Sequence, residues 1–242
     1  MSESVQVNFG KAIPLFPLDS VALLPQQVLP LHIFEPRYKQ MVDHAIDGAG
    51  LIAMAVFDGN QWKEQYHARP RIRPVVCVGH VVQHHALPDG RHNILLQGVC
   101  RARILKEVPP AEDRLYRAAY LEPFGVVGDA GELPLDESGE RTLRDARGRI
   151  TEMLSEGPLS RLAAAEPVLE YLRNDEIPTH AILELVAFPL TLDQKVRYQL
   201  LAEESAAARA TIILKELGTL ERLVRIAIAQ HPEEWPKGLS WN

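Results

Sequence analysis

Leu29-Pro30-Leu31-His32-Ile33-Phe34-Glu35-Pro36-Arg37-Tyr38 changes conformation within ten residues. Val28 to Phe34 is apolar and reads as a strand, with a proline of the kind found at strand starts, edges or bulges. Glu35 to Tyr38 then opens a helix, with Pro36 at a favoured first helical position. Tyr38, Met41, Val42 and Ala45 recur at helical spacing. The helix ends near Gly48 and Gly50, where glycine accepts a left-handed cap. The Glu35 carboxylate suits the positive end of the helix dipole, and Arg37 is placed to pair with it across the turn.

Short apolar runs cut by proline and glycine surround this stretch. Ile13 to Leu18 is extended, because each proline disfavours helix in the residue before it. Val21 to Pro25, Leu51 to Phe57 and Val75 to Val82 read as further strands. Asn93 to Gly98, Val99 to Leu105 and Arg114 to Phe124 complete the series, punctuated by turns at Asp58-Gly59-Asn60 and Pro88-Asp89-Gly90. Such spacing predicts a closed or nearly closed antiparallel barrel with one inserted helix.

From about Glu140 the period changes. Leu143, Ala146, Ile150 and Leu154 share one helical face, and Gly157-Pro158 breaks that helix. Leu159 to Arg173 and Ile182 to Phe188 are further helical patterns. Thr191-Leu192-Asp193-Gln194 fits a capping box. Ile213, Leu217, Leu220, Val224, Ala227 and Ile228 make one apolar seam of a last helix, weakened at Gly218 and stopped at His231-Pro232. The expected class is α+β: a β-domain over residues 10–125, a linker over 126–139 and an α-helical bundle over 140–231.

The composition excludes several classes. The chain has 242 residues, 46% hydrophobic and 24% charged, with a net charge of −6. These are ordinary globular values. No run approaches the ~20 apolar residues of a spanning helix. The start, MSESVQVNFGK, lacks the apolar segment of a signal peptide. A cytoplasmic protein with Cys77 and Cys100 as reduced, buried thiols is the simplest expectation. The charge is uneven, +1 over residues 1–125 and −7 over 126–242. Neither half has the strong basic balance that phosphate binding exploits.

No GxxxxGK[ST], GxGxxG, GxSxG or HExxH motif occurs. His80, His84 and His85 lie close together, but on a strand residues i and i+4 stand ~13 Å apart. No metal, cofactor or catalytic group is therefore expected. Arg69, Arg71 and Arg73 form a small basic run, and Arg101 and Arg103 read as an outward strand face. Trp62 and Tyr66 sit in the polar loop from Asp58 to Arg69, where aromatics cap a core or anchor a partner.

The prolines and aromatics of Ile13 to Leu18 and Leu29 to Tyr38 resemble the Lon N-terminal (LON substrate-binding) domain family. Val78-Gly79-His80-Val81, Asp89 to Gly98 and Arg101-Ala102-Arg103-Ile104 extend the likeness, which covers most of residues 10–229. The resemblance implies a PUA-like barrel followed by a helical bundle, in a standalone form without ATPase or peptidase modules. It implies recognition of unfolded or extended polypeptides without catalysis, with a separate protease or chaperone as a further candidate partner. An exposed strand edge would hold such a chain by main-chain hydrogen bonds. Candidate contacts are His32, Phe34, Glu35, Arg37 and Tyr38, with Trp62 and Tyr66 in the neighbouring loop. The alternative is RNA binding through Arg69, Arg71, Arg73, Arg101 and Arg103, against which the charge balance weighs.

Overall fold

The computed structural model describes residues 5–19, 21–64, 69–125, 135–190 and 193–230. Six strands, β1 (Ile13–Leu18), β2 (Val28–Ile33), β3 (Leu51–Val56), β4 (Val75–Ala86), β5 (His92–Val108) and β6 (Ala118–Pro123), form one sheet. Helix α1 (Pro36–Ile46) lies between β2 and β3 in sequence. Five helices follow: α2 (Glu137–Ser155), α3 (Ala165–Arg173), α4 (Thr179–Leu190), α5 (Gln194–Leu201) and α6 (Ala206–Ala229). The α+β class is as expected.

The strand order is β2-β5-β4-β3-β1-β6, and β6 pairs a second time with β5. Five strands thus form a circuit, with β2 outside it. Small and branched side chains fill its interior: Leu15, Ala53, Ala55, Val76, Val78, Ala102, Ala119 and Leu121 are all buried. The expectation of a purely antiparallel sheet is corrected at one place. β1 runs parallel to β3, Leu15 facing Ala53 and Leu18 facing Val56. The excursion through β2 and α1 returns the chain in the same direction.

Two strand assignments also change. Val21 to Pro25 is a buried irregular segment. The Gln27 N–H donates to the Leu24 carbonyl at 3.3 Å, and Gln26 turns with φ of 67°. The Gly98 N–H donates to Gln27 O, and a Cβ on Gly98 would stand 2.2 Å from the Leu24 carbonyl oxygen. Glycine here permits the close approach. Asn93 to Gly98 and Val99 to Leu105, read as two strands, are one 17-residue strand, because a register shift near Gly79 lets the ladder pass the glycines.

The chain divides into two compact units, residues 1–134 with 192–206, and residues 135–191 with 207–242. The sequence reading assigned 140–231 to one bundle; α5 instead belongs with the sheet, because its tyrosine and terminal carbonyl bond to β4 and β5. Tyr198 accepts the Val75 N–H at 3.1 Å on its hydroxyl, and its ring lies 4.4 Å under the Arg73 guanidinium. Arg101, 3% exposed, donates to the Leu200 carbonyl at 3.3 Å. Asp193 caps α5 by accepting from the Lys195 N–H; Thr191 of the expected capping box lies outside the described residues.

In the second unit α2 packs on α3 and α4. Asp136 caps α2 through the Gly139 N–H, so 137–139 of the expected linker are helical. Arg147 donates to the carbonyls of Leu172, Asn174 and Ile177, which closes the end of α3. Arg209 of α6 meets Glu184 of α4 at 3.1 Å, both side chains almost wholly buried. The α6 seam is inward only at its start. Ile213 and Leu217 are buried, Leu220, Val224 and Ile228 are half-buried, and Ala227 is exposed. No described helix is long and apolar enough to cross a membrane.

Candidate functional site

The start of α1 is built as its sequence suggests. Glu35 is extended and Pro36 begins the helix. Arg37 Nε donates to Glu35 Oε2 at 3.1 Å, and its Nη2 lies 2.9 Å from the same oxygen. The Arg37 guanidinium also covers the Tyr38 ring at 4.5 Å. Tyr38 is buried and meets the edge of Phe16 at 4.5 Å. The ion pair is therefore fixed in place by a ring that is itself fixed in the core.

This turn forms one wall of a cleft of about 580 Å³. Leu15 and Pro17 of β1, Phe57, Arg69-Pro70, Pro110 and Leu115 to Arg117 supply the rest. Arg117 ties two walls together: Nε donates to Glu107 Oε2 at 3.0 Å and Nη1 to the Pro70 carbonyl at 2.8 Å. Tyr116 is anchored from behind, its hydroxyl 2.9 Å from His44 Nδ1. Burial among these groups pushes its phenol above the ordinary range, so it stays neutral. Leu115 is 48% exposed at the rim. The cleft thus has apolar walls, and its Arg37 and Arg117 guanidiniums are held by fixed partners.

The structure divides the candidate residues. Glu35, Arg37 and Tyr38 line the cleft. Trp62 joins indirectly, stacking at 5.4 Å on Phe57. Tyr66 lies outside the described residues. His32 belongs to another hollow of about 310 Å³, which Pro30, His85 and Asn93 also help to line. There His32 Nδ1 donates to Asn93 Oδ1 at 2.7 Å, and Arg91 donates to His32 Nε2 at 3.2 Å. Phe34 is 62% exposed beside it. Tyr116, Arg117 and Phe57 were missed by sequence reasoning. Tyr116 and Arg117 stood unmarked in the strand pattern from Arg114 to Phe124, and Phe57 at the end of the apolar run from Leu51.

The strand-edge expectation meets an obstacle. β2, with β5 as its single neighbour, carries Pro30 opposite Leu95. Proline has no N–H, so a chain added along this edge finds one donor missing.

The basic positions offered for RNA are mostly spent inside the fold. Arg101 is buried, which corrects its reading as an outward residue. Its side chain crosses to α5 because the terminal carbonyls of a helix need donors. Arg73 covers Tyr198. Arg103 stacks on Phe124 at 4.5 Å and faces Glu122 and Glu204 at 3.7 and 3.5 Å. Arg69 and Arg71 are exposed.

The histidines lie on β4, as read. His84 Nε2 and His92 Nδ1 share a hydrogen bond of 2.8 Å, with Asp43 3.5 Å beyond His92. Desolvation, and then the neighbouring His92, lower the His84 pKa. Among the described residues no group of three or more His, Cys, Asp or Glu could hold a metal ion. Neither Cys77 nor Cys100 is in a disulfide, Cys77 is buried, and burial pushes the Cys100 thiol up to about 11.

Comparison with known proteins agrees with this architecture. A model of the ATP-dependent protease La (LON) substrate-binding domain matches residues 12–219. A Lon protease of Desulfovibrio desulfuricans is 28% identical over 222 residues, covering 90% of this chain and 23% of its own length. One from Trichlorobacter lovleyi is 27% identical over 149 residues, covering 61% and 17%. The chain therefore spans about a fifth of the length of these relatives. The N-terminal domain of Mycobacterium avium complex Lon protease has a TM-score of 0.65 at 13% identity, covering 86% of this chain and 98% of its own. The Lon N-terminal domain protein from Xanthomonas campestris has 0.56 at 18%, covering 85% and 98%. At these identities the two structures bear on the fold alone.

Proposed function

The chain belongs to the LON substrate-binding domain family, and from that premise we propose that it binds unfolded or extended polypeptide segments in the cleft beside Glu35-Pro36-Arg37-Tyr38 without breaking bonds itself. We read the five-strand circuit as a PUA-like barrel that holds the cleft walls rigid. The observation that carries the reading is the cleft itself. Its apolar walls offer burial to side chains that a folded protein would hide. Its ion pairs are fixed before a ligand arrives, which lowers the ordering cost of binding. The proline in β2 favours side-chain capture in the cleft over strand addition. A separate protease or chaperone would take the captured segment onward. A cytoplasmic setting fits two cysteines outside any disulfide.

The test is a fluorescence anisotropy titration with a carboxymethylated, permanently unfolded protein, and with its folded parent as control. Saturable binding of the unfolded form alone is expected. Leu115→Asp places a charge on the exposed apolar rim without touching the core, and should weaken binding about fivefold or more. No binding at ~100 μM, a range in which weak recognition is still visible, or binding untouched by Leu115→Asp, would remove the cleft from consideration.

A further inference from the structure

The charges around the cleft are unequal, and the excess specifies a ligand chemistry. Arg37 is matched by Glu35, and Arg117 by Glu107. Arg69 also lines the cleft, is exposed, and has no ion-pair partner among the described residues. The rim therefore carries one unmatched positive charge beside the apolar surfaces of Phe57 and Leu115.

Resting on the reading of the cleft as a polypeptide site, we infer that it selects segments in which an apolar side chain lies next to a carboxylate. The apolar side chain leaves water against the walls. The carboxylate then meets the Arg69 guanidinium at the rim, where a lysine in its place would be repelled. A solvent-exposed ion pair contributes little, so the discrimination is modest, about threefold to fivefold. It is also screened, because at 1 M salt charges interact over only about 3 Å. The carboxylate can come from an Asp or Glu side chain or from the C-terminus of the bound chain, since both present the same two oxygens to the guanidinium fork.

The experiment uses four fluorescein-labelled peptides sharing a Leu-Phe-Leu core, titrated against the full chain at low salt. One has Asp neighbours, one Ser and one Lys, all with amidated ends. The fourth has Ser neighbours and a free C-terminal carboxylate. The Asp peptide should bind about threefold to fivefold tighter than the Ser peptide, with the Lys peptide weakest and the differences gone at 1 M salt. Arg69→Glu should reverse the order. A gain from the free terminus alone makes the chain end the carboxylate source; a gain from Asp alone makes it the side chain. Equal affinity for all four peptides overturns the selection but leaves the cleft as a polypeptide site. A preference that survives Arg69→Glu overturns it as well. Failure of every peptide to bind overturns both.

Discussion

Among the described residues each unit buries one arginine, and the two reach different kinds of acceptor. In the sheet unit Arg101 reaches the Leu200 carbonyl at the end of α5. In the helical unit Arg209 faces the Glu184 carboxylate. A carbonyl is a neutral acceptor, and losing its donor strands a dipole. A buried carboxylate is a full charge, and losing its partner strands an ion. The two units should therefore respond very unequally to the same change of residue.

Arg209→Met should be the most damaging substitution, costing ~3–5 kcal/mol in urea unfolding. Adding Glu184→Leu should restore most of it, because an apolar pair of similar volume leaves no stranded charge. A double variant as unstable as the single would mean that the carboxylate is not the source of the loss. Arg101→Met should cost less, ~1–3 kcal/mol, the penalty of one buried acceptor left unmet. If it matched Arg209→Met, the contrast between carbonyl and carboxylate would collapse. Tyr198→Phe keeps the ring under Arg73 and removes only the hydroxyl that accepts the Val75 N–H. A loss of roughly 1 kcal/mol is expected by the same measurement.

A weaker titration effect is expected at the exposed end of β4. His84 has a lowered pKa in the folded chain, so the unfolded chain binds its proton first as the pH falls. Its contribution to stability is complete above the ordinary value of 6.5 and is lost as the pH falls through the depressed one. Thermal unfolding should therefore show a small fall in Tm from pH 7 to pH 5, and His84→Ala should flatten that part of the profile. Leu223, 59% exposed on α6, sets the lower limit: Leu223→Ser should change stability by less than ~0.5 kcal/mol.

Much of this architecture was legible because local periodicity reports local structure. Ile13 to Leu18 and Pro36 to Ile46 stand where the prolines and the helical spacing put them. Val21 to Pro25 deceived because an apolar run says only that a segment is buried. Its backbone is satisfied by a turn at Gln26 that no period records. Arg101 looked outward because alternation along a strand assigns faces without knowing what covers each one. The cleft was half visible. Its Glu35 wall is a compact motif, whereas Arg117 and Phe57 arrive through strand pairing between distant segments. The α6 seam over-reached for the same reason, since apolar spacing continues past the turns in which Ile213 and Leu217 find partners.

The sheet unit takes one of its helices from beyond residue 190. During synthesis the strands leave the ribosome long before α5 does. Until then the Val75 amide lacks the Tyr198 hydroxyl, and the Arg101 guanidinium lacks the Leu200 carbonyl. Final consolidation of the first unit thus waits for residues that follow most of the second. A fragment ending near residue 134 would hold the nascent chain in that unfinished condition permanently.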